Sequence, residues 1–561
     1  MRTRPGTCQQ IEESLARAVD FMVADGLHDG RLLAGCEGRA LETALALHLF
    51  RSFGHAPELC IGMAAFCRRY LAEEPAEVSH AAQLDRRLSR VICQLVLHGG
   101  LGPGGLIALE RALAEFDHPT LWRKRVLIEA ILGELGGRPK AASPLPRTVV
   151  GAGVSHLWVS ILLASIRALQ LCHLGRADEV GEAELAVIVD TQSTDGSWEQ
   201  HVLVTCIALL ALARLGRASR SFALGLRFLE RQLRPDGGVP FITNEDVWVT
   251  CLAGLVLTEA RVAAPVVHRI ERYLLPLQHA DGGWAYAEGV TQTDADDSCV
   301  ALTLLARRSS AQHAAPVRRA AAYVLALQNS DGGFPTFVRG AASDAEITAK
   351  AILALRTSGL GPPDVIEAAW SWLAQSQLAS GGFRGEWKLC ATYPAFHVIN
   401  AAVGQRPGSR AAQVRRRCVA FLRGLRRRDG GWPVHPDDDH SHVLSTAYAI
   451  GGLSACPGSL TSRELSDSAW RLLAAQGSDG GFRASADSLG PRPFIYDVPL
   501  LATIYSVWAL ARVRDLLTGR ADQVPYGAPC VVPGLHDHAQ LHASPSPGSL
   551  PGITADNTPC R

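Results

Sequence analysis

Apolar residues recur along most of the chain at the three- and four-residue spacing that is typical of amphipathic helices. Two kinds of helical segment alternate. One kind, such as 317–327, carries arginines on one face and apolar residues on the other, which suits a helix with one wet side. The other kind, such as 298–306, is apolar nearly all round, which suits a helix buried on most sides. The alternation predicts helical hairpins with an outer and an inner member.

A short phrase follows the outer segments: a Gln, two residues, Asp-Gly-Gly and an aromatic residue. It occurs at Gln192, Gln278, Gln328 and Gln476, with weaker copies at Gln232, Gln377 and Arg426. From position 278 onward the copies begin 49 or 50 residues apart. The glycine pair can cap the preceding helix and turn the chain sharply. Such regular self-similarity is the signature of a repeat architecture.

The repeat predicts an all-α fold. Inner segments begin near 245, 295, 345, 393, 441 and 497, and their outer partners end near 232, 278, 328, 377, 426 and 476. We therefore predict that residues 217–517 form a closed (α/α) toroid of six hairpins around a central cavity. Residues 1–216 are also helical in pattern and form a second, N-terminal domain. The segment 518–561, rich in Pro, Gly, Ser and His, is predicted to be a disordered tail.

Composition narrows the partners and the compartment. With 55 basic and 54 acidic residues the chain has a net charge of +1, which gives no argument for a nucleic-acid partner. The basic residues are nearly all Arg, which we interpret as a coding bias. The 14 scattered cysteines, without any CxxC, indicate reduced thiols. The charged N-terminus lacks the apolar core of a signal peptide. These features predict a cytoplasmic protein and leave peripheral membrane contact and homo-oligomer formation open.

The candidate chemistry is an acidic cluster, Asp294-Ala295-Asp296-Asp297, at the start of an inner segment. Repulsion among three carboxylates raises the pKa of one, which then holds its proton while its neighbours stay ionised. The alternative interpretation is that these residues cap the helix, as Asp commonly does. Other repeats carry acids at the same place, among them Glu245 and Asp344. The acids alone leave both interpretations open.

Several motifs in order resemble one family. The Gln-x-x-Asp-Gly-Gly-Trp phrase resembles the QW repeat of triterpene cyclases, and 282–299 resembles the squalene–hopene cyclase segment that ends in DxDD. The aromatic loop that lines the cyclase cavity resembles Glu386-Trp387-Lys388 followed by Thr392-Tyr393. The next family segment resembles Asp429–Trp432 followed by Ser445–Ala449. Over about 190–515 the chain is identified as a member of the class II terpene cyclases. The resemblance implies that the toroid is a cyclase β domain and 1–216 a γ-like domain.

Two positions depart from the family pattern. The His that precedes the repeat Gln in squalene–hopene cyclases, and that hydrogen-bonds the acid, is replaced by Leu425. The tyrosine-aspartate-tryptophan motif of bacterial copalyl diphosphate synthases is missing, and Trp158 is at best an eroded version of it. The hydrogen-bond partner of the acid is therefore unassigned.

The resemblance implies that Asp296 protonates the terminal alkene of a linear isoprenoid, while Asp294 and Asp297 tune and orient it. Aromatic faces near the toroid mouth could stabilise carbocations. We expect Trp284 and Trp432 to pack between repeats and Tyr393 to line the cavity. The expected substrate-binding residues are Trp284, Tyr286, Phe334, Trp387 and Tyr393.

The substrate is expected to be short. Aromatic residues make up only 6% of a chain that is short for a squalene cyclase. Both facts favour geranylgeranyl or farnesyl diphosphate, cyclised to a bicyclic diphosphate of the copalyl or drimenyl type. No DDxxD motif is present, so the diphosphate is expected to survive. Its binding needs Arg or Lys, for which Arg339, Arg384 and Lys388 are candidates, and Mg²⁺ with unassigned ligands.

Three other functions stay open. A squalene or polyprenoid cyclase would use the same mechanism. A zinc-dependent protein prenyltransferase shares the toroid, and Asp297, Cys299 and either His397 or His435 could provide its metal ligands. A non-catalytic helical-repeat binding protein would use the acids only as helix caps.

Overall fold

A computed structural model describes residues 6–24, 27–73, 80–101, 104–137, 143–149, 156–217, 219–490, 492–520, 530 and 532, and the statements below refer to these residues. The helices are α1 (Thr7–Ala24), α2 (Ala40–Phe53), α3 (Pro57–Ala72), α4 (His80–His98), α5 (Gly105–Glu115), α6 (Leu121–Glu134), α7 (Leu157–His173), α8 (Glu182–Val189), α9 (Val202–Leu215), α10 (Ser219–Arg231), α11 (Asp246–Ala260), α12 (Ala264–Leu274), α13 (Ala295–Arg308), α14 (Ala314–Ala326), α15 (Ala345–Thr357), α16 (Pro363–Ser376), α17 (Thr392–Ala401), α18 (Arg410–Leu425), α19 (Val443–Ser454), α20 (Ser462–Leu473) and α21 (Leu500–Leu517).

Six helices form the inner ring of the predicted toroid: α11, α13, α15, α17, α19 and α21. Each packs against the next, and α21 returns to α11, which closes the ring. Their apolar sequences explain their place, because a helix with neighbours on several sides buries most of its surface. In α11, for example, every residue from Asp246 to Leu257 is buried. The all-α class and the six-membered inner ring are confirmed.

The outer ring differs from the prediction in one member. The helices α12, α14, α16, α18 and α20 lie outside their inner partners, and the sixth outer position is held by α1, which packs on α20 and α21. The helix α10, which was expected there, packs instead on α9. The boundary at 216/217 therefore does not follow the packing: the N-terminal helix belongs to the toroid, and 219–231 belongs to the other domain.

The repeat phrase ties each outer helix to the next. The side-chain amide of Gln328 donates to the carbonyl of Gly332 in its own loop, at 2.9 Å, and to that of Val365 on α16, at 3.0 Å. Gln476 makes the corresponding contact with Ser14 on α1, at 2.9 Å, which explains why the N-terminal helix completes the ring. At Gly282 the φ angle is +95°, and a Cβ atom would meet the carbonyl oxygen of Arg319 at 2.5 Å. Only glycine fits so close to the neighbouring helix.

The second domain contains α2 to α10. The apolar helices α2, α7 and α9 form its centre: α2 packs on α3, α4 and α9, while α7 packs on α6, α8 and α9. Residues 27–39 cross from α1 to this domain along the toroid. Three two-stranded antiparallel pairs accompany the crossing and the loops: β1 (Leu27–His28) with β2 (Arg31–Leu32), β3 (Gly38–Arg39) with β4 (Val239–Pro240), and β5 (Ser488–Leu489) with β6 (Ile495–Tyr496).

The predicted disordered tail lies mostly outside the described residues. Two of its residues are packed, however. The backbone N–H of Cys530 donates to the carbonyl of Thr357 at the end of α15, at 2.9 Å, and Val532 is fully buried. The prediction of disorder is therefore wrong at these two positions. None of the described helices is both long and apolar enough to cross a bilayer.

Candidate active site

A cavity lies where the N-terminal ends of the inner helices face the second domain. The toroid contributes the starts of α11 and α13 and the loop before α17, while the second domain contributes Trp158 on α7 and His201 at the start of α9. Seven of its sixteen lining residues are Phe, Trp or Tyr, and it also carries four acids and one lysine. We call it the first cavity. It resembles ligand sites in general, which are apolar clefts with a small number of placed polar groups.

All three acids of the cluster reach the first cavity. Asp294 is the N-cap of α13, and its Oδ1 accepts a hydrogen bond of 2.9 Å from the backbone N–H of Asp297. Asp296 in the first turn keeps 17% of its side chain exposed, whereas Asp297 is buried. The two interpretations of the cluster are thus compatible, because one acid caps the helix and another faces the cavity.

Burial raises the pKa values of Asp294 and Asp297 by different amounts. It raises the pKa of Asp294 to about 6, although the hydrogen bond with Asp297 opposes part of the shift. Burial and the nearby Asp294 and Asp296 raise the pKa of Asp297 well above its usual value. The Oδ1 atom of Asp297 has no hydrogen-bond partner among the described residues. A carboxyl group in such a place is stable in its protonated form.

Asp296 has two hydrogen-bond donors that the sequence did not reveal. The ammonium Nζ of Lys350, on the neighbouring inner helix α15, lies 2.6 Å from Asp296 Oδ1. The indole Nε1 of Trp248, on α11, donates to the same oxygen at 3.3 Å. Lys350 and Trp248 are therefore the partners of the acid.

Lys350 is held as a cation inside the toroid. Burial alone lowers the pKa of a lysine, but the Asp296 carboxylate beside it outweighs this effect, so the pKa of Lys350 is raised. Its Nζ also donates to the hydroxyl of Tyr393 at 2.9 Å and lies 5.2 Å from the centre of that ring. The Tyr393 side chain is fully buried behind Lys350. Tyr393 therefore helps to hold Lys350 in position beside Asp296.

A second cavity adjoins the first and reaches α6 of the second domain. Three cationic side chains line it: Arg123, Lys124 and Arg492. Lys124 is buried, and burial together with the adjacent Arg123 lowers its pKa to about 7. Within the described part of the chain, neither Arg123 nor Lys124 has an acidic partner, and Arg123 Nε is buried without any hydrogen-bond partner. Buried cations without acids are suited to bind an anion.

The predicted substrate-binding residues divide into two groups. Tyr286, Trp387 and Lys388 line the first cavity. Trp284 and Phe334 are fully buried beside the repeat turns, and the indole of Trp284 donates to the carbonyl of Leu274 at 2.9 Å. Trp432 makes the same contact with Leu422, at 2.6 Å, so packing explains both tryptophans. Among the described cavity linings Tyr393 does not appear, contrary to expectation.

Two of the predicted diphosphate-binding residues lie elsewhere. Arg384 is 61% exposed and approaches only Asp117, at 3.9 Å. Arg339 is exposed as well and is not among the residues that line the described cavities. Two of the three cations that do line the second cavity, Arg123 and Lys124, come from the second domain, on which the family motifs give no information.

The zinc hypothesis has little support in the geometry. Cys299 and His397 both line a small cavity behind Lys350, which Asp297 does not reach. Within the described ranges, no three His, Cys, Asp or Glu side chains are grouped so as to hold a metal ion. The predicted ligand set does not come together there.

Comparison with known proteins agrees with the geometry. The family described as "Prenyltransferase alpha-alpha toroid domain" matches residues 141–391 and 387–491. A drimenyl diphosphate synthase of Streptantibioticus cattleyicolor is 32% identical over 91% of this chain and 97% of its own. A second enzyme of that name, from Streptomyces showdoensis, is 32% identical over 91% of this chain and 95% of its own.

The fold has a solved counterpart. The ent-copalyl diphosphate synthase from Streptomyces platensis superposes with a TM-score of 0.61, over 90% of this chain and 99% of that one, at 20% sequence identity. The likeness covers the toroid and the second domain together. Together with the conserved order of motifs and the acid at the cavity wall, these similarities place the chain in the class II terpene cyclase family.

Proposed function

We propose that this enzyme protonates a linear prenyl diphosphate, with farnesyl diphosphate as the first candidate, and releases a bicyclic terpenyl diphosphate. One observation carries the proposal: Asp296 lies in the wall of an aromatic cavity, with a lysine and an indole bonded to the same oxygen. Such a site can release a proton into a dry space and hold the carboxylate that remains.

The ion pair with Lys350 corresponds to the state after proton transfer. In the reactive state Asp296 carries a proton on Oδ2, the oxygen that neither Lys350 nor Trp248 binds, and gives this proton to the terminal alkene. The alkene π electrons form the new C–H bond, and a tertiary carbocation results. The next alkenes attack in turn and close two rings. The C–O bond to the diphosphate is never broken. Lys350 and Trp248 are already in place when negative charge develops on Asp296, and preorganised donors of this kind stabilise a transition state strongly.

The aromatic lining supports the later steps. Trp158, Phe241, Phe337 and Trp387 surround the space in front of Asp296. Their faces attract a carbocation by about 0.5–2 kcal/mol each when water is absent. They also leave few polar groups that could hold a water molecule near the cation. A premature capture of the cation by water is thereby made rare.

The diphosphate group is assigned to the second cavity. Arg123, Lys124 and Arg492 provide positive charge there, and a substrate that reaches from Asp296 to these cations would pass through both cavities. Arg and Lys are the usual partners of phosphate oxygens. The assignment is supported by the absence of acidic partners for Arg123 and Lys124 within the described residues.

Mg²⁺ could accompany the diphosphate. Asp344 and Glu386 line the second cavity, and the Oδ2 atom of Asp344 is buried without a hydrogen-bond partner among the described residues. Mg²⁺ is often bound by one or two carboxylates together with substrate phosphates, so these two residues fit the ion. When bound, it would neutralise diphosphate charge. Binding by the three cations needs no metal.

The choice of farnesyl diphosphate is supported by the two relatives named drimenyl diphosphate synthases. Geranylgeranyl diphosphate and squalene remain alternatives. We also place the reaction in the cytoplasm, because the thirteen cysteines in the described part of the chain all have free thiols. Peripheral membrane contact and self-association stay predictions.

Incubation with farnesyl diphosphate, geranylgeranyl diphosphate and squalene tests the proposal. We expect a bicyclic diphosphate from at least one of the two diphosphates. Asp296→Asn should lower its formation by about 100-fold or more, since general acid catalysis contributes at least that factor. Cyclisation of squalene alone would support the polyprenoid cyclase. Equal turnover by Asp296→Asn would overturn the role of the acid.

A further inference from the structure

The two cavities meet at a neck. Among the described residues, those that line both cavities are Trp158, His201, Phe241, Thr336, Trp387 and Gly490. Of these six residues, His201 alone has a side chain with a basic nitrogen. The acid Asp296 lines only the first cavity, and the diphosphate-binding cations line only the second. His201 thus stands between the start of the reaction and the diphosphate.

The His201 ring is enclosed by aromatic side chains. Its centre lies 4.4 Å from that of Phe241, in an edge-to-face contact, and 5.9 Å from that of Trp158. Neither ring nitrogen has a hydrogen-bond partner among the described residues, and Nδ1 is fully buried. Nε2 is therefore the ring nitrogen that is accessible from the cavity. A buried imidazole normally makes at least one hydrogen bond, so the absence of any partner for the His201 ring among the described residues calls for an explanation.

The surroundings keep the ring neutral. Burial, together with the positive charges of Arg39 and Lys124, lowers the pKa of His201 to about 3. A neutral imidazole always has one nitrogen with a free lone pair. A proton beside a tertiary carbocation is very strongly acidic, so a weak base is sufficient to remove it.

We infer that His201 Nε2 accepts the proton that ends the cyclisation. The inference rests on the proposed function. After the second ring closes, the cation lies on the side of the bicycle nearer the diphosphate, which is the side of the neck. A C–H bond next to the cationic carbon breaks, its electron pair becomes the final C=C bond, and the proton moves to Nε2. The positive charges of Arg39 and Lys124 then favour rapid loss of this proton into the second cavity.

Glu245 is the competing base. It lines the first cavity, one oxygen accepts a hydrogen bond from the hydroxyl of Tyr496, and its Oε2 is buried without a partner among the described residues. It does not line the second cavity, however, and it lies at the start of α11, on the acid's side of the site. A carboxylate there suits stabilisation of the early cation. His201 is better placed than Glu245 to remove a proton from the last cation.

Product analysis distinguishes the roles of His201 and Glu245 from that of the acid Asp296. Wild type, His201→Ala, His201→Gln, Glu245→Gln and the control His156→Ala are incubated with farnesyl diphosphate, and the products are identified after phosphatase treatment. His156 is a fair control because it also has a buried, unpartnered Nδ1 but lines only the second cavity. We expect both His201 variants to consume substrate and to form the wild-type alkene at least 10-fold less, with hydroxylated or isomeric bicycles in its place. His156→Ala and Glu245→Gln should keep the wild-type product as their main product, but Glu245→Gln, which removes a negative charge near the early cation, should form it more slowly.

The outcomes are distinct from those that test the acid. Loss of the wild-type product in Glu245→Gln, with unchanged products in the His201 variants, would overturn the inference in favour of Glu245. If a His201 variant consumes no substrate, imidazole is added to His201→Ala, and restored alkene formation supports the inference. Failure of rescue, or an unchanged product ratio, overturns it. A failure of the proposed function itself would show differently, as consumption of substrate by Asp296→Asn.

Discussion

The ammonium nitrogen of Lys350 and the carboxylate oxygen Oδ1 of Asp296 lie 2.6 Å apart, on adjacent inner helices of the toroid. Lys350 is 4% exposed, so the pair is almost shielded from solvent. An isolated charge at this depth would be costly. The pair therefore depends on both members, and the contact links the proton donor directly to the helix that follows it in the ring.

Lys350→Met removes the cation that faces the acid. We expect kcat to fall by about 100-fold or more, the cost of losing one preorganised donor to a developing anion. KM should change little, because Lys350 contacts the acid and lies behind it. Lys350→Arg keeps the charge and should recover part of the loss. Steady-state kinetics of both variants checks this, and a Met variant with normal kcat would contradict it.

Diphosphate binding should depend on pH through Lys124. Its pKa of about 7 means that the side chain is charged below pH 7 and neutral above it. KM for the prenyl diphosphate is therefore expected to rise between about pH 6 and pH 8. In Lys124→Met this rise should vanish, and KM should be high throughout. A flat KM in the wild type across this range would exclude Lys124 from the binding site.

Arg123→Gln should likewise weaken binding, and inorganic pyrophosphate should inhibit the wild type by competition. We expect KM to rise by about 10-fold or more, since hydrogen bonds to charged groups contribute about 1.5–3 kcal/mol. Arg384→Gln is the matched control, because Arg384 is exposed and is not among the residues that line the two cavities. Equal increases of KM in the two variants would show that KM responds to the loss of any positive charge and would contradict a specific role of Arg123.

The acids that tune Asp296 should lower the stability of the fold. Asp294 has a pKa of about 6 in the folded protein against 3.8 in the unfolded chain. Between these pH values the unfolded chain loses the proton first, which favours unfolding by up to about 3 kcal/mol. Asp294→Asn, which can still cap α13, is therefore expected to raise the free energy of unfolding at pH 7.5. The gain should vanish below pH 3.8, and thermal unfolding at both pH values measures it.

A variant that is less stable than the wild type at both pH values would contradict this account. It would mean that the charged form of Asp294 stabilises the fold, in spite of its burial.

The repeat glutamine should be structural. Gln328→Ala loses two hydrogen bonds, to the carbonyls of Gly332 and Val365. We expect a loss of about 1–3 kcal/mol in the free energy of unfolding, with KM unchanged. Gln232→Ala is a suitable comparison, because Gln232 donates only to Phe228 in the preceding turn, at 3.5 Å. Its cost should be smaller.

The sequence predicted the inner ring because each inner helix follows a repeat marker, and burial on several sides makes it apolar all round. It could not predict that α1 completes the outer ring. Gln476 receives its partner, Ser14, from the other end of the chain, and nothing local in residues 7–24 distinguishes them from other amphipathic helices. The marker at Gln232 was misleading, since its loop packs beside α3 of the second domain, where Gly237 meets Gly62.

The acid was predictable from its motif, but its partners were not. Lys350 approaches Asp296 only because α13 and α15 are neighbours in the ring, and Lys124 enters the site from the other domain. One signal in the sequence was available. The chain has only four lysines, and three of them, Lys124, Lys350 and Lys388, line the cavities described above. What we interpreted as a coding bias therefore marked the site.

The proton transfer from Asp296 is tested most directly by turnover of farnesyl diphosphate in D₂O. We predict a bicyclic product that carries one non-exchangeable deuterium on the ring carbon that was protonated and still bears its diphosphate, and no such product from Asp296→Asn. Release of inorganic pyrophosphate with an unlabelled hydrocarbon would contradict the account, because the reaction would then start by ionisation at the opposite end of the substrate.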